Sequence, residues 1–340
     1  MCLLLDILSA KGGMQMKDKS RVALLLVLIA LGTMLGCGAV LREEEAAAFS
    51  QQALLGEMQG YRLFAGSQVQ GEERHFTRQT LFKGLLLCIS EQTPLPEYMP
   101  VQQARNMRKM IGLYVPAAPD VSLSEETIYA LCALCEENPL LRTWVIDGMR
   151  SPAEQNALQN EAFERYRAQY PVAQALYLAR QEAPTGGKSE HQLSTAFDLQ
   201  FQGTLEWSYA DPLDRCKDGR WLRENAWRFG FIRRYPPDKT DITGVSTEAL
   251  HFRYVGKTHA LVMQVTGWCL EEYLVALKKH QGLTVSCEDG KNLYILCREM
   301  TESGAAFPCP AGYDAAPSAD NQGYAVCVLT PAQASSSEES

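Results

Sequence analysis

The chain has 340 residues, of which 46% are hydrophobic and 21% are charged, so it is long enough to bury a sizeable core. Its formal net charge is −8 at pH 7, and no basic block follows the N-terminal region. Because binding to a polyanion depends on clustered positive charge, this composition argues against nucleic acid as a partner.

The N-terminus has the pattern of an export signal or a membrane anchor. Lys17, Lys19 and Arg21 precede an uncharged apolar run at 22–41, which is long enough to cross a bilayer. The basic residues predict that the N-terminus stays inside and that the rest of the chain is extracytoplasmic. The letters MLGC, ending at Cys37, loosely resemble a bacterial lipobox, so a lipoprotein, an uncleaved anchor and simple secretion all stay open. We expect a membrane-anchored protein whose N-terminal segment is in contact with the membrane.

The first half of the chain mixes helical and strand patterns. Residues 42–80 show little apolar periodicity beyond one amphipathic stretch, which predicts a helical stalk or linker. The short apolar run LFKGLLLCIS at 81–90 predicts a strand. Serines followed by glutamates predict a helix over 122–138, and LRTWVIDGMRS at 141–151 predicts a strand that ends in a glycine turn.

The second half continues this mixture without regular βαβ alternation. Pro152 opens a long helical pattern, AFDLQF at 196–201 alternates as a strand does, and 258–280 is helical again. A hairpin is predicted around Asp289-Gly290. These segments predict an α+β fold, in which a small antiparallel sheet has flanking helices and a small β-rich segment follows at the C-terminus.

Eleven cysteines are many for an exported chain. Cys132 and Cys135 form one CxxC, but no second pair with zinc-ribbon spacing follows, so we interpret them as structural. An extracytoplasmic location would allow disulfides among the four cysteines of the C-terminal segment, whose pairing the sequence does not define. These four are Cys287, Cys297, Cys309 and Cys327.

Two histidines and two carboxylates are the strongest candidates for chemistry. His191 and Asp198 lie in SEHQLSTAFDLQF, and Glu248 and His251 lie in TEALHFRYVG. A catalytic zinc needs three protein ligands and one open position for water, and a nearby carboxylate must take the proton of that water. The two histidines and Asp198 could be the ligands, with Glu248 as the base. The pattern of His191 and Asp198 alone also fits a simple polar pair. The other histidines His259 and His280 fall on helical faces that we expect to be solvated.

The spacing within each candidate pair requires a bend in the backbone. His191 and Asp198 are seven residues apart, so on one straight strand their side chains would point to opposite faces. Glu248 and His251 are three apart, which poses the same difficulty. We therefore expect a turn between the first pair and a bend or bulge before the strand HFRYV.

Four blocks of sequence resemble one family of zinc peptidases. SEHQLSTAFD at 189–198 is similar to the SxHxxGxAxD motif of VanY-type D-alanyl-D-alanine carboxypeptidases, which belong with the lysostaphin and hedgehog domains. DGMRS at 147–151 resembles the GYRS turn of that family, and TEALHFRYVG at 247–256 resembles its EPWHxRYVG block. The segment 225–244 resembles the block that precedes the last ligand. The blocks follow the family order and cover about 81–280.

The resemblance implies a role for each candidate residue. It implies that three side chains bind Zn²⁺, namely His191, Asp198 and His251. Glu248 would be the general base, and Arg150 would bind the scissile carbonyl and stabilise the oxyanion. Ser189 would line the site, either contacting substrate or supporting His191. Taken alone, Arg150 fits a salt-bridged surface arginine equally well, and Ser189 fits a hydroxyl that caps a loop.

The chain departs from the family pattern at two places. Ser194 replaces the glycine of HxxG, where a serine would be strained if φ were positive. Ala249-Leu250 replaces the Pro-Trp pair between the base and the last ligand, which removes a rigid bend and an apolar wall. No ligand and no base is lost, so we expect activity, with efficiency and specificity altered.

The resemblance and the patterns together predict the organisation and activity of the chain. The function predicted is a zinc-dependent D-alanyl-D-alanine carboxypeptidase that removes the terminal D-Ala from peptidoglycan stem peptides by zinc-activated water. The alternatives are a D,D-dipeptidase or L,D-peptidase, or a catalytically weakened wall-binding protein of the same fold. The predicted domains are a signal or anchor at 1–41, a helical stalk at 42–80, the zinc peptidase at 81–281, a β-rich extension at 282–330 and a disordered tail at 331–340.

Overall fold

The computed structural model describes residues 53–96, 103–141, 143–202, 205, 211–245, 248 and 250–332. The predicted membrane segment at 1–41 lies outside the described residues. So does the predicted tail from 333 onward, although Pro331 still belongs to the last strand.

Fourteen strands and nine helices form within this described part of the chain. The strands are β1 (Leu54–Met58), β2 (Tyr61–Ala65), β3 (Glu72–Phe76), β4 (Arg105–Asn106), β5 (Ser122–Leu123), β6 (Thr143–Asp147), β7 (Ala196–Phe201), β8 (Phe231–Arg233), β9 (His251–Tyr254), β10 (Gly282–Cys287), β11 (Asn292–Glu299), β12 (Ala305–Cys309), β13 (Tyr313–Ala319) and β14 (Tyr324–Pro331). The helices are α1 (Arg78–Leu81), α2 (Met107–Ile111), α3 (Glu125–Glu137), α4 (Pro152–Arg167), α5 (Val172–Glu182), α6 (Lys217–Asn225), α7 (Thr240–Thr243), α8 (Lys257–Thr266) and α9 (Leu270–His280).

These strands form two principal antiparallel sheets among the described residues. The smaller has the order β6-β7-β9-β8, and the larger has the order β1-β2-β10-β11-β14-β13. The helix starts follow their sequence signals. Ser124 caps α3, and Ser151, just before Pro152, forms a capping box with Glu154 at the start of α4. The predicted α+β fold is confirmed.

The prediction of a helical stalk over 42–80 is wrong for the part that the structure describes. Strands β1 and β2 form a hairpin at Gly60, which has a φ of 86° and so favours glycine. Strand β2 then pairs with β10, with Leu63 opposite Val285 and both side chains buried. The N-terminal hairpin therefore completes the same sheet as the C-terminal β-rich segment. Alternation over only five residues per strand gave too weak a sequence signal for this pairing.

The apolar run at 81–90 is also not a strand. It forms turns in which Leu86 and Leu87 are fully buried and Gly84 has a φ of 84°. The backbone carbonyls of this segment accept hydrogen bonds from Arg253, which replace the strand ladder that we predicted.

Helices α8 and α9 pack against the larger sheet and supply much of the core between the two sheets. Val262, Leu274 and Leu277 are buried there with Leu283 and Ile295 of the sheet. No single helix of the described residues is long and apolar enough to span a membrane; α8 and α9 pass that test only as a pair, bent by 97°. All nine cysteines that the structure describes are free thiols, so it contains none of the disulfides considered above.

The expectation that His259 is solvated is wrong. Its ring is buried in α8 and lies within hydrogen-bond distance of the Tyr273 hydroxyl, at 2.6 Å from Nδ1. Burial lowers the pKa of His259 from 6.5 to about 4, because a buried imidazolium loses its hydration. The residue is a neutral component of the core.

This buried histidine predicts an acid-sensitive fold. Between pH 6.5 and pH 4 the unfolded chain binds a proton at His259 that the folded chain does not bind. The free energy of unfolding should therefore fall as pH is lowered through this window, by up to about 3 kcal/mol from this residue. In urea denaturation, the stability difference between wild type and His259→Gln should shrink by that amount from pH 7 to pH 4. The exposed His75→Gln variant should run parallel to wild type, and a parallel His259→Gln curve would contradict the assignment.

Candidate metal centre

The smaller sheet brings two of the candidate ligands together. Asp198 on β7 lies directly opposite His251 on β9, and opposite residues of an antiparallel pair point to the same face. The neighbours of Asp198 in AFDLQF, Phe197 and Leu199, are buried on the other face, which fixes the register. Alternation of apolar and polar residues in β7 thus turns Asp198 towards His251.

The third candidate ligand, His191, lies on a short 3-10 helix, Glu190–Gln192, ahead of β7. The predicted turn is present at 193–195 and brings His191 to the face that carries Asp198. Among the described residues only Gln281 combines a side chain with a positive φ, so Ser194 fits the turn without the strain considered above. The Ser189 hydroxyl caps the 3-10 helix by accepting the backbone N–H of His191 at 3.3 Å.

The turn after β6 fixes the orientation of His191. The ring Nδ1 donates to the Gly148 carbonyl at 2.7 Å, and the backbone N–H of Arg150 donates to the His191 carbonyl at 2.6 Å. A Cβ on Gly148 would lie 2.8 Å from the Ser122 carbonyl oxygen, so only glycine allows this close approach. With Nδ1 occupied, Nε2 is the atom that faces Asp198, at 3.2 Å from Oδ2.

Whereas His191 faces the cluster with its Nε2, His251 faces it with its Nδ1. Its Nδ1 lies 2.8 Å from Asp198 Oδ1 and 3.8 Å from Glu248 Oε2. The ring of Tyr235 stacks on the imidazole, with 5.3 Å between centroids. One ligand atom from each of the three candidates lies within 4.8 Å of the others, and both histidines are buried.

The electrostatics of the cluster favour a positive charge. Burial alone would raise the pKa of Asp198, but hydrogen bonds from the two histidines outweigh it and hold that pKa below its usual range. Burial would lower the pKa of His251, but the hydrogen bond with Asp198 and the nearby carboxylates of Glu190 and Glu248 raise that pKa to about 10. Two imidazoles and one carboxylate, with Asp198 partly open to solvent, are a donor set that suits zinc and leaves a position for water. The residues present therefore fit a catalytic zinc.

Arg150 lies at the edge of the cluster and is held by two partners. Asp147 accepts from its Nε at 2.9 Å, and the buried Gln155 accepts from its Nη1 at 2.7 Å. Its Nη2 lies 2.9 Å from Asp147 Oδ2 and 3.8 Å from Asp198 Oδ2. The guanidinium thus lies beside the Asp198 carboxylate, at the edge of the cluster. Sequence reasoning did not assign Asp147 or Gln155, although Asp147 belongs to the DGMRS block.

Two cavities adjoin the cluster on different sides. The first, of about 140 Å³, is called the Glu248 cavity here; Arg180 and Lys188 line it together with Ser189 and Glu248, and so do Glu91, Glu190 and Glu271. The second, of about 410 Å³, has Arg150 in its wall and is lined largely by apolar residues, among them Ile146, Met149, Ala157 and Leu158. A substrate that passes the cluster would therefore meet charged residues of both signs on the Glu248 side and a largely apolar wall on the Arg150 side.

The residue pair that departs from the family pattern lies beside Glu248. Leu250 packs against the apolar cluster that contains Phe197 and Phe252, and its carbonyl accepts the backbone N–H of Leu199 at 3.1 Å. The backbone N–H of His251 points to the Glu248 carbonyl at 3.4 Å, which is the bend expected before β9. Ala249 lies outside the described residues.

Sequence reasoning missed a buried ionic network behind His251. Glu190 is 1% exposed at its side chain and forms ion pairs with Arg234 and Arg253, which are equally buried. The sequence patterns gave Glu190 and Arg234 no role. A buried charge needs a partner, but the sequence does not indicate which charged residues of SEHQ at 189–192 and IRRYP at 232–236 become buried.

Comparison with known proteins agrees with the motifs. A family model described as VanY, D-alanyl-D-alanine carboxypeptidase, matches residues 124–257. A D-alanyl-D-alanine carboxypeptidase of Enterococcus faecalis is 34% identical over 215 residues, which are 62% of this chain and 70% of that protein. The bifunctional D-Ala-D-Ala dipeptidase and carboxypeptidase VanXYC of Enterococcus gallinarum is 34% identical over 130 residues, covering 38% of this chain and 64% of that protein.

A solved structure supports the fold. The vancomycin-resistance D,D-dipeptidase VanXYg, in complex with a D-Ala-D-Ala phosphinate analogue, matches with a TM-score of 0.59. It is 23% identical in sequence, and the match covers 76% of this chain and 99% of that one. With the family blocks in order, and with 34% identity over most of a carboxypeptidase, the chain belongs to the VanY D-alanyl-D-alanine carboxypeptidase family.

Proposed function

We propose that the chain is a zinc-dependent D-alanyl-D-alanine carboxypeptidase that removes the terminal D-Ala from peptidoglycan stem peptides. The observation that carries this proposal is the cluster of His191, Asp198 and His251, with Glu248 Oε2 only 3.8 Å from His251 Nδ1. Three N/O ligands and an adjacent carboxylate are what hydrolysis of an amide by a metal-activated water requires.

Each side chain of the cluster has a separate role in this proposal. Zinc, when bound by the three ligands, lowers the pKa of water to about 7 and so supplies a nucleophile at neutral pH. Glu248 accepts the proton of the attacking water and returns it to the leaving amine. Arg150, held by Asp147 and Gln155, donates to the carbonyl oxygen on which negative charge develops.

The role of Glu248 also sets the direction of the substrate. Because Glu248 returns the proton to the leaving amine, the leaving D-Ala lies on the Glu248 side, where the Glu248 cavity opens. The C-terminal carboxylate of the leaving D-Ala then lies near Arg180 or Lys188. The Lys188 ammonium is already paired with Glu91 Oε2 at 2.7 Å, whereas Arg180 is exposed and has no ion pair with any residue that the structure describes. We assign the terminal carboxylate to Arg180.

We expect Arg180→Ala to lower kcat/KM for a pentapeptide ending in D-Ala-D-Ala by about 10- to 100-fold, mainly through KM. This is the loss expected for one charge-assisted hydrogen bond. Steady-state kinetics with the free acid and with the C-terminal amide test the assignment. Wild type should discriminate strongly against the amide, and the variant should discriminate much less.

The matched control for this experiment is Arg167→Ala on α4. Arg167 is exposed and lies near Glu164, away from both cavities. It should leave the kinetics and the discrimination unchanged. Equal discrimination against the amide by wild type and Arg180→Ala would show that the carboxylate binds elsewhere.

Product identification after incubation with a pentapeptide is the direct test of the proposed activity. Residues 42–340, loaded with zinc, should release free D-Ala and leave a tetrapeptide. Release of the dipeptide D-Ala-D-Ala would indicate the D,D-dipeptidase alternative, which the similarity to the bifunctional VanXYC favours as the second candidate. Cleavage of a tetrapeptide would indicate L,D-specificity, and zinc binding without any release would indicate a wall-binding protein.

We further propose that the chain acts outside the cytoplasm and is held at the membrane by the segment at 22–41. The support is the uncharged apolar run after three basic residues. Protease treatment of intact cells should degrade a C-terminal epitope tag, and alkaline carbonate extraction should leave the protein in the membrane fraction. Protection from protease in intact cells would contradict the proposed location.

A further inference from the structure

Two buried polar atoms face each other behind the metal cluster. His251 Nε2 and Glu190 Oε2 are 3.7 Å apart, and both side chains are 1% exposed. Neither atom has a hydrogen-bond partner among the described residues. Because an unpaired buried polar group is costly, two such atoms at this separation point to a hydrogen bond that a small side-chain movement closes.

The carboxylate of Glu190 is held in place from its other oxygen. Arg234 Nε donates to Oε1 at 2.8 Å, and Arg253 Nη1 lies 2.9 Å from the same atom. The two guanidiniums therefore fix one oxygen and leave Oε2 directed at the imidazole. A carboxylate between two buried arginines stays charged and is a strong acceptor.

The two arginines donate hydrogen bonds to parts of the chain outside the family match at 124–257. Arg234 donates to both carboxylate oxygens of Glu271 on α9, at 2.6 and 3.0 Å. Arg253 donates to the carbonyls of Gly84 and Leu87 in the segment before the match. Helix α9 and the turn segment at 84–87 thus hold the network in position.

We propose that Glu190 is a positioning residue for His251: it accepts the Nε2 proton, directs Nδ1 at the metal, and depends on Glu271 of α9 through Arg234. This inference rests on the zinc site of the proposed function. Histidines that bind metals commonly donate their second nitrogen to a carboxylate, which fixes the tautomer and makes the bound nitrogen more basic. Here Asp198 and Glu248 are on the Nδ1 side and Glu190 is on the Nε2 side.

The primary test is Glu190→Gln, measured by zinc competition with a chromophoric chelator. We expect the zinc Kd to rise about 10- to 100-fold, as for loss of other carboxylates behind metal-bound histidines. In the zinc-loaded wild type, the proton on His251 Nε2 should give a strongly downfield NMR signal, which should move upfield or vanish in the variant. A purely structural role would not move this signal.

A second variant covers the case in which Glu190→Gln does not fold. Glu271→Gln changes the partly exposed outer end of the network and should raise the zinc Kd by about 3- to 10-fold with a smaller shift of the same signal. Glu272→Gln is the matched control, because Glu272 is next to it on α9 but pairs with Lys239 and caps the helix. It should leave zinc affinity within twofold.

The outcomes separate this inference from the proposed function. Unchanged zinc affinity and an unchanged Nε2 signal in Glu271→Gln, or in a folded Glu190→Gln, would overturn the positioning role. Zinc affinity is measured without substrate, so these results do not depend on D-Ala release. A wild type that binds zinc but releases no D-Ala would overturn the proposed activity and leave the role of Glu190 intact.

Discussion

Asp198→Ala should abolish zinc binding and with it the release of D-Ala. Asp198 is the one anionic member of the cluster, and its two oxygens lie 3.2 and 2.8 Å from ring nitrogens of the two histidines. Without it, two imidazoles remain, which are too few ligands to hold zinc in a solvent-accessible site. Metal analysis after dialysis should fall from about one zinc per chain to a small fraction. Loss of several kcal/mol of metal assistance predicts a rate at least about a thousand-fold lower.

The control for this substitution is Asp314→Ala on the exposed face of β13. Asp314 is exposed on the edge strand of the larger sheet and is not a member of the cluster, so zinc content and rate should stay at wild-type values. Circular dichroism and thermal unfolding of the metal-free proteins would establish that Asp198→Ala is folded. Full zinc occupancy in Asp198→Ala would mean that the ion is bound elsewhere and would remove the basis of the proposed function.

In the candidate metal centre, the orientation of Asp198 and the turn before it could be predicted from the sequence because they follow from short-range rules. Alternation in AFDLQF places Asp198 on one face of the sheet and buries Phe197 on the other face. The odd spacing between His191 and Asp198 requires the turn that the structure contains. Helix α3 begins after a serine cap, as the pattern of serine and glutamates indicates. These features need only local sequence, and the family blocks added the link to His251.

The remaining features depend on contacts between distant parts of the chain. The hairpin of β1 and β2 is stable because β10, more than 200 residues later, supplies its partner strand. The buried position of Glu190 depends on two arginines, one on β9 and one just after β8. A charged residue in a loop is ordinarily solvated, and nothing in the local sequence SEHQ indicates that the two arginines will pair with Glu190. Such pairings are tertiary and have no periodic signal.

Glu248→Gln should lower kcat by about 10²- to 10⁴-fold while zinc content stays near one per chain. Glutamine has the shape of glutamate but cannot accept the proton of the attacking water, which is the contribution expected of a general base. Glu248 is not among the three ligands, and its carboxylate is partly exposed beside the cluster, so the substitution leaves the donor set intact. KM should change little, because the assigned carboxylate contact is with Arg180.

This substitution also decides between the enzyme and a wall-binding protein of the same fold. Metal analysis and D-Ala release are measured on the same samples of wild type, Glu248→Gln and an exposed control, Glu302→Gln. An enzyme predicts release by wild type and the control and its loss in Glu248→Gln, with equal zinc in all three. A Glu248→Gln rate within a few-fold of wild type would assign the base to another group. Equal zinc with no release by any of them would indicate a binding protein, since every ligand is then in place and only turnover is missing.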